Sequence, residues 1–154
     1  MRYFLVVAFF LLAYPSPEAF CYEISSYAFV NNDGSIRIKG RTFRLYGVYI
    51  PVTQNVCQRF TMPVECASQA KIALEFKIGP HFVRCRAVEV YEDGSNGAFC
   101  DVEGNDLGVY MIDQGWGLAL PNAPIEYALV ERIARNRGLG VWAVPGINIY
   151  QFPP

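Results

Sequence analysis

"RLYGVYIPV", Arg44 to Val52, is the stretch on which the reading of this chain turns. Together with the preceding "RTF" it alternates polar and apolar residues up to Leu45, as a half-buried strand does, before Gly47 and Pro51 break the pattern. It reads as a barrel strand running out into a turn. Upstream, "SIRIKG" carries the same alternation, so Gly40 marks a hairpin. "YEISSYAFV" is rich in strand formers and ends at "NNDG", a strong turn signal. Pro51 therefore closes a three-strand unit.

Downstream, "PVECASQAKIALEF" predicts a helix over Pro63–Phe76, with apolar positions at Val64, Ala67, Ile72 and Phe76 and a stop at Gly79-Pro80. His81 to Val102 reads as a second hairpin across "EDGSNG". "EGNDLGVYMIDQGW" reads as a turn and short helix stopped by Gly115. "APIEYALVERIARNRGLG" predicts a helix with apolar positions at Ile125, Leu129, Ile133 and Ala134, ended by Gly138. No internal repeat stands out. The layout is mainly β with helices (α+β): a five-stranded OB-type barrel with about three helices. That layout alone supports many functions.

The chain has 154 residues, 53% hydrophobic and 15% aromatic, which suits one packed domain. Its formal net charge of −1 lacks the cationic excess that drives binding to phosphate backbones, so nucleic acid is not the expected partner. Residues 1–21 read as a signal peptide or a short N-terminal anchor. Arg2 precedes the apolar run Tyr3–Tyr14, which falls short of the ~20 residues a membrane span needs. Cleavage is expected near Ala19 to Cys21. No small-x-small pair marks the site, so an uncleaved leader stays open, and it is the one expected route to a membrane. Residues 22–143 form the domain, and 144–154 an irregular tail rich in Pro and aromatics.

Export makes the cysteines readable as disulfides. With Cys21 at the leader boundary, four remain and three connectivities are open. Local structure favours Cys57–Cys66 across a loop and Cys85–Cys100 across the second hairpin. A metal site is not expected, because no CxxC pair exists and His81 is the single histidine. No cofactor is expected either.

In their order, "SIRIKGRTFRLYGVYIPV", "DLGVYMIDQGWGLAL" and "YALVERIARNRGLGVWA" resemble the staphylococcal nuclease-like (thermonuclease) family over roughly Ser26 to Trp142. The resemblance implies an SNase-like OB fold and a calcium-dependent phosphodiesterase. That chemistry needs carboxylates for a hard cation, a carboxylate to activate water, and arginines on the transition-state charge. Matched position by position, the first metal aspartate falls on Gly34 and the second on Tyr49. The threonine beside the ion falls on Ile50, the general base on Val52, and the second arginine on Ser95. Only Arg44 matches. Losing a general base alone costs roughly 10²–10⁴ in rate, and here the cation's ligands are lost with it.

Arg44 is then as readily a structural partner of an acid as an anion ligand. Asp33, Asp93, Asp101 and Glu103 form turns more often than a displaced metal site. His81 reads as a satisfied surface residue, and Trp116 and Trp142 as packing. Tyr46, Tyr49, Tyr91, Phe99, Tyr110, Tyr150 and Phe152 exceed what a small core needs, which predicts an aromatic contact surface. The reading is an exported, catalytically inactive SNase-like module, periplasmic or on the outer face of a membrane. The expected partner is a protein, a membrane-associated complex being one option, and the expected contact residues are Arg44, Tyr46, Tyr49 and Val52. A nuclease using non-standard residues and a non-catalytic binder of nucleic acid or polysaccharide are the alternatives.

Overall fold

The computed structural model describes residues 22–51, 56–59 and 62–143, with side chains for 22–51 and 68–143. The leader, Val52, the thiols of Cys21, Cys57 and Cys66, and the tail with Tyr150 and Phe152 lie outside the described residues, as does the expected Cys57–Cys66 pair.

The strands are β1 (Glu23–Ser26), β2 (Phe29–Val30), β3 (Ile36–Ile38), β4 (Arg41–Leu45), β5 (Val48–Tyr49), β6 (Val56–Arg59) and β7 (Met62–Glu65), followed by β8 (Val83–Val90), β9 (Asn96–Val102), β10 (Asn105–Asp106) and β11 (Leu118–Ala119). The helices are α1 (Cys66–Ile78), α2 (Leu107–Asp113) and α3 (Ile125–Asn136), with a 3₁₀ turn at Gly140–Ala143. The chain is α+β. Its main sheet is curled and mixed, in the order β1-β8-β9-β4-β3-β2, with β10 added to β9. Among the described strands, only β4 and β9 pair in parallel. β1 and β2 stand at opposite ends of that order although only Tyr27 and Ala28 separate them.

Alternation explains the strands. Ile36, Ile38, Phe43 and Leu45 point inward while Arg37 and Arg44 point out, as period two requires. Lys39-Gly40, with φ 47° and 80°, joins β3 to β4; positive φ at both central residues is the type I′ turn that matches strand twist. β8 carries a bulge between Ala87 and Glu89, opposite Ala98 and Gly97. Cys85 and Cys100 face each other across β8 and β9 and are disulfide-bonded, as expected.

The helices depart from expectation at two points. α1 starts at Cys66, because Met62–Glu65 pairs with Val56–Arg59 as a hairpin and takes Pro63 and Val64 into a strand. Its buried row is Ala70, Leu74 and Ile78, whereas Ile72 and Phe76 face outward. α1 carries two apolar rows, and only packing selects between them. In α3 the buried residues are Tyr127 and Ala134, while Ile125, Leu129 and Ile133 are exposed. Polar anchors turn the helix. The Tyr127 hydroxyl bonds to Asp106 at 3.0 Å, and Glu131 accepts from the Ala119 N–H at 2.6 Å. Asp106 also caps α2 by accepting from Val109 N at 2.9 Å. Gly108 lets the helices meet, since a Cβ there would sit 2.6 Å from the Tyr127 oxygen.

Trp116 and the core surround α2, whose Leu107, Met111 and Ile112 are fully buried. Among the described residues, no helix is long and apolar enough to cross a membrane. The buried disulfide suggests an oxidising compartment.

Candidate functional site

Two turns of identical sequence, Asp33-Gly34-Ser35 and Asp93-Gly94-Ser95, frame a concavity on the surface. In each, the aspartate Oδ1 accepts from the serine N–H and hydroxyl, at 3.0 and 2.6 Å in the first and 2.9 and 2.6 Å in the second. The glycines take φ of 77° and 78°. A cleft of about 820 Å³ lies between the turns, lined among others by Asn31, Asp33, Arg41, Arg44, Asp93 and Ser95. An adjoining hollow of about 520 Å³ is lined by Gly34, Arg44, Leu45, Tyr49, Ile50 and Tyr91, among others.

Arg44 stands between the two. Its Nη2 donates to Asp93 Oδ2 at 2.6 Å, and its guanidinium lies 5.6 Å from the centre of the Tyr91 ring. The two Ser95 donors hold the Asp93 carboxyl below the usual carboxylate range, with Arg44 a smaller cause. Burial, then the Glu89 carboxylate it hydrogen-bonds, pushes the Tyr91 hydroxyl up to about 12. It stays protonated at neutral pH.

The structure gathers Gly34, Arg44, Tyr49 and Ile50 in one hollow and places Ser95 in the neighbouring cleft beside Arg44. Tyr46 lines neither; its ring packs on Phe99 with centroids 5.2 Å apart. One side of this hollow, at Leu45, Val48 and Ile50, is apolar, and Asp33, Ser35 and Arg44 make the other polar. A Cβ built on Gly34 would lie 2.5 Å from Ile50 Cδ1, so Ile50 fills the space a side chain at 34 would need. The described lining does not fit the calcium ion that the family resemblance implies: Gly34 and Ile50 bring no side-chain oxygen, Tyr49 brings a phenol, Arg44 brings positive charge, and the single carboxylate, Asp33, already accepts from Ser35.

The other acids are engaged separately. Asp101 binds Arg84 through both oxygens at 2.9 and 3.1 Å, and Glu103 lies 3.2 Å from His81. Among the described residues, no three His, Cys, Asp or Glu side chains come together around a possible ion. Tyr46, Tyr49, Tyr91, Phe99 and Tyr110 are half-buried. Among the described residues, the exposed aromatics are instead Tyr27, Phe29, Phe76 and Phe82.

Sequence reading missed Asp93 as the partner of Arg44, 49 residues apart. The signal was present as the repeated Asp-Gly-Ser, one copy on either side of the cleft. Neither a known family model nor a curated protein matches the chain.

Proposed function

We propose that this chain is an exported, catalytically inactive module of SNase-like type, built on a five-stranded OB barrel, that binds a protein partner at the hollow around Tyr49. The barrel reading is supported by strand pairing: Glu23–Val30, interrupted at Tyr27 and Ala28, pairs with β8 through its first half and with β3 through its second. The order of the five strands is then that of an OB barrel.

One observation carries the inactive reading. Ile50 occupies the space into which a side chain at position 34 would project, and Arg44 is paired to Asp93. An enzyme of the thermonuclease kind needs oxygen ligands there and an arginine free to meet developing negative charge. The wall of Leu45, Val48, Tyr49 and Ile50 suits an apolar protein contact better than a phosphate. The periplasm or another extracytoplasmic space fits the disulfide and the apolar leader.

Two measurements test this reading. Purified protein incubated with DNA and RNA, in calcium, in magnesium and in chelator, is expected to leave both intact. Metal-dependent hydrolysis that survives repurification overturns the inactive reading. Affinity capture from solubilised membranes is expected to retain a partner with the parent chain and to lose it with Y49D/V52E, the circular dichroism spectrum being unchanged. Equal capture by both moves the contact elsewhere.

A further inference from the structure

α3 has an apolar row on each of two sides. Tyr127 and Ala134 are buried, and Val130 packs on the core beside them. On the other side Ile125, Leu129 and Ile133 face water, Ile125 with 81% of its surface exposed. A spacing of four residues sets them in one line, about 6 Å apart at ~1.5 Å per residue. Contiguous apolar surface of this kind marks a docking face. No residue of α3 lines the hollow around Tyr49, so this row is separate from the contact proposed there.

Charge selects what fits the row. Glu126 stands in the first turn of α3, and Arg132 and Arg137 stand in its second half and at its C-cap, all three exposed. Glu131 and Arg135 pair with each other along the helix at 3.2 Å. Among the described residues, Glu126, Arg132 and Arg137 join no ion pair. The row is therefore acidic at one end and basic at the other. A second α3 running in the opposite direction complements it: Leu129 of each copy meets that of the other, Ile125 of each comes to Ile133, and Glu126 comes to the end that holds Arg132 and Arg137. A parallel pairing would set glutamate against glutamate and arginine against arginine. The partial charges at helix ends favour the antiparallel direction as well.

We infer that the exposed row of α3 is a self-association surface, joining two copies of this chain antiparallel about a two-fold axis at Leu129. A closed two-fold contact uses one patch on both copies and requires that patch to complement itself, which this row does. Residues four apart also form the ridge that seats in the matching groove of another helix, with the axes crossing at about 50°. Such a crossing confines the contact to the three apolar residues and the charges at their ends. The dimer is accordingly weak and fills only at high protein concentration. A net charge of −1 per copy opposes it little.

Sedimentation equilibrium of the full-length protein, over a hundredfold range of concentration ending at about a millimolar, tests the assignment. The average mass of the parent chain is expected to climb from monomer toward dimer and no further. Leu129→Asp, at an exposed position, is expected to weaken association at least tenfold with no change in the thermal unfolding midpoint. Glu126→Arg and R132E/R137E are each expected to weaken it as well, because each sets like charges together. An equimolar mixture of those two variants is expected to regain the parent's association, since every arginine then meets a glutamate. Adding Leu129→Asp to both members of the mixture is expected to abolish that recovery, which separates pairing through the row from attraction between oppositely altered net charges. A parent chain that stays monomeric throughout overturns the proposal, as does association that Leu129→Asp leaves intact. A mixture no stronger than either variant alone overturns the antiparallel arrangement and with it the assignment to a second α3.

Discussion

Asp33-Gly34-Ser35 and Asp93-Gly94-Ser95 have one sequence, one backbone conformation and one set of aspartate–serine hydrogen bonds, yet they sit in different surroundings. The first turn leans on Ile50, whose Cδ1 would lie 2.5 Å from a Cβ on Gly34; the second has nothing within 4 Å of a Cβ on Gly94. Asp93 holds Arg44, and its hairpin is stapled by Cys85–Cys100. Asp33 has no such cation among the described residues, and the first turn joins two short strands, β2 and β3. The difference teaches that three residues are enough to shape a turn. What the turn tolerates, and what it can bind, comes from neighbours distant in sequence.

Substitution of the two glycines probes this comparison most sharply. Gly34→Ala combines left-handed strain of about 1–2 kcal/mol with displacement of Ile50, worth about 1–3 kcal/mol, for a total loss of about 2–5 kcal/mol. Gly94→Ala carries only the strain, about 1–2 kcal/mol. Urea unfolding of both variants measures the gap, and equal losses would show that Ile50 does not crowd the first turn. Between these in size lies C85A/C100A. Opening a loop with a sequence separation of 15 costs about 3 kcal/mol in the chain-entropy model and falls on the second hairpin. A loss much below 1 kcal/mol would mean the staple adds little to strands already paired.

Asp93→Asn tests the charge side. The folded pKa of Asp93 lies below its unfolded value near 3.8, so the carboxylate contributes stability above that value. The contribution disappears as pH falls through the lower folded pKa. Parent and variant should therefore differ by a constant amount from about pH 5 to 7 and converge below about pH 4. A difference that persists unchanged down to about pH 2 contradicts the assignment. The smallest effect is expected from Arg44→Ala. Both partners of that ion pair are about half exposed, at 50% and 51%, and such pairs contribute about 0–1 kcal/mol. Since Ser95 outweighs Arg44 in holding Asp93 down, a carboxyl titration by NMR should shift less in R44A than in Ser95→Ala.

The sheet was legible in the sequence because a strand's two faces alternate strictly, so Ile36, Ile38, Phe43 and Leu45 name their own side. The helices were legible as helices but not in orientation. Ile125, Leu129 and Ile133 form an apolar row at helical spacing and still face outward. The hydrogen bonds of Tyr127 and Glu131, to Asp106 and to the Ala119 backbone, fix the opposite face. The start of α1 was misjudged because proline at a helix start and proline in a short hairpin strand look alike in a single sequence. At the candidate site, the lack of a carboxylate at Gly34, Tyr49 and Ile50 could be read directly, and the structure brings those three to one hollow. The pairing of Arg44 with Asp93 could not be read, because nothing local connects positions 49 apart.

By itself the sequence determined which side chains are available: two Asp-Gly-Ser turns, a strand ending in Tyr-Ile-Pro, and cysteines placed to meet across a hairpin. Chemistry that needs carboxylates at positions 34 and 49 is settled at that level, because no folding supplies an atom the residue lacks. Only the tertiary structure decided that Ile50 closes over Gly34, that Arg44 is engaged by Asp93, and that one apolar row of α1 is buried while the other remains open. Those outcomes depend on distances between residues far apart in the chain, where several pairings satisfy the local rules and packing of the whole selects one.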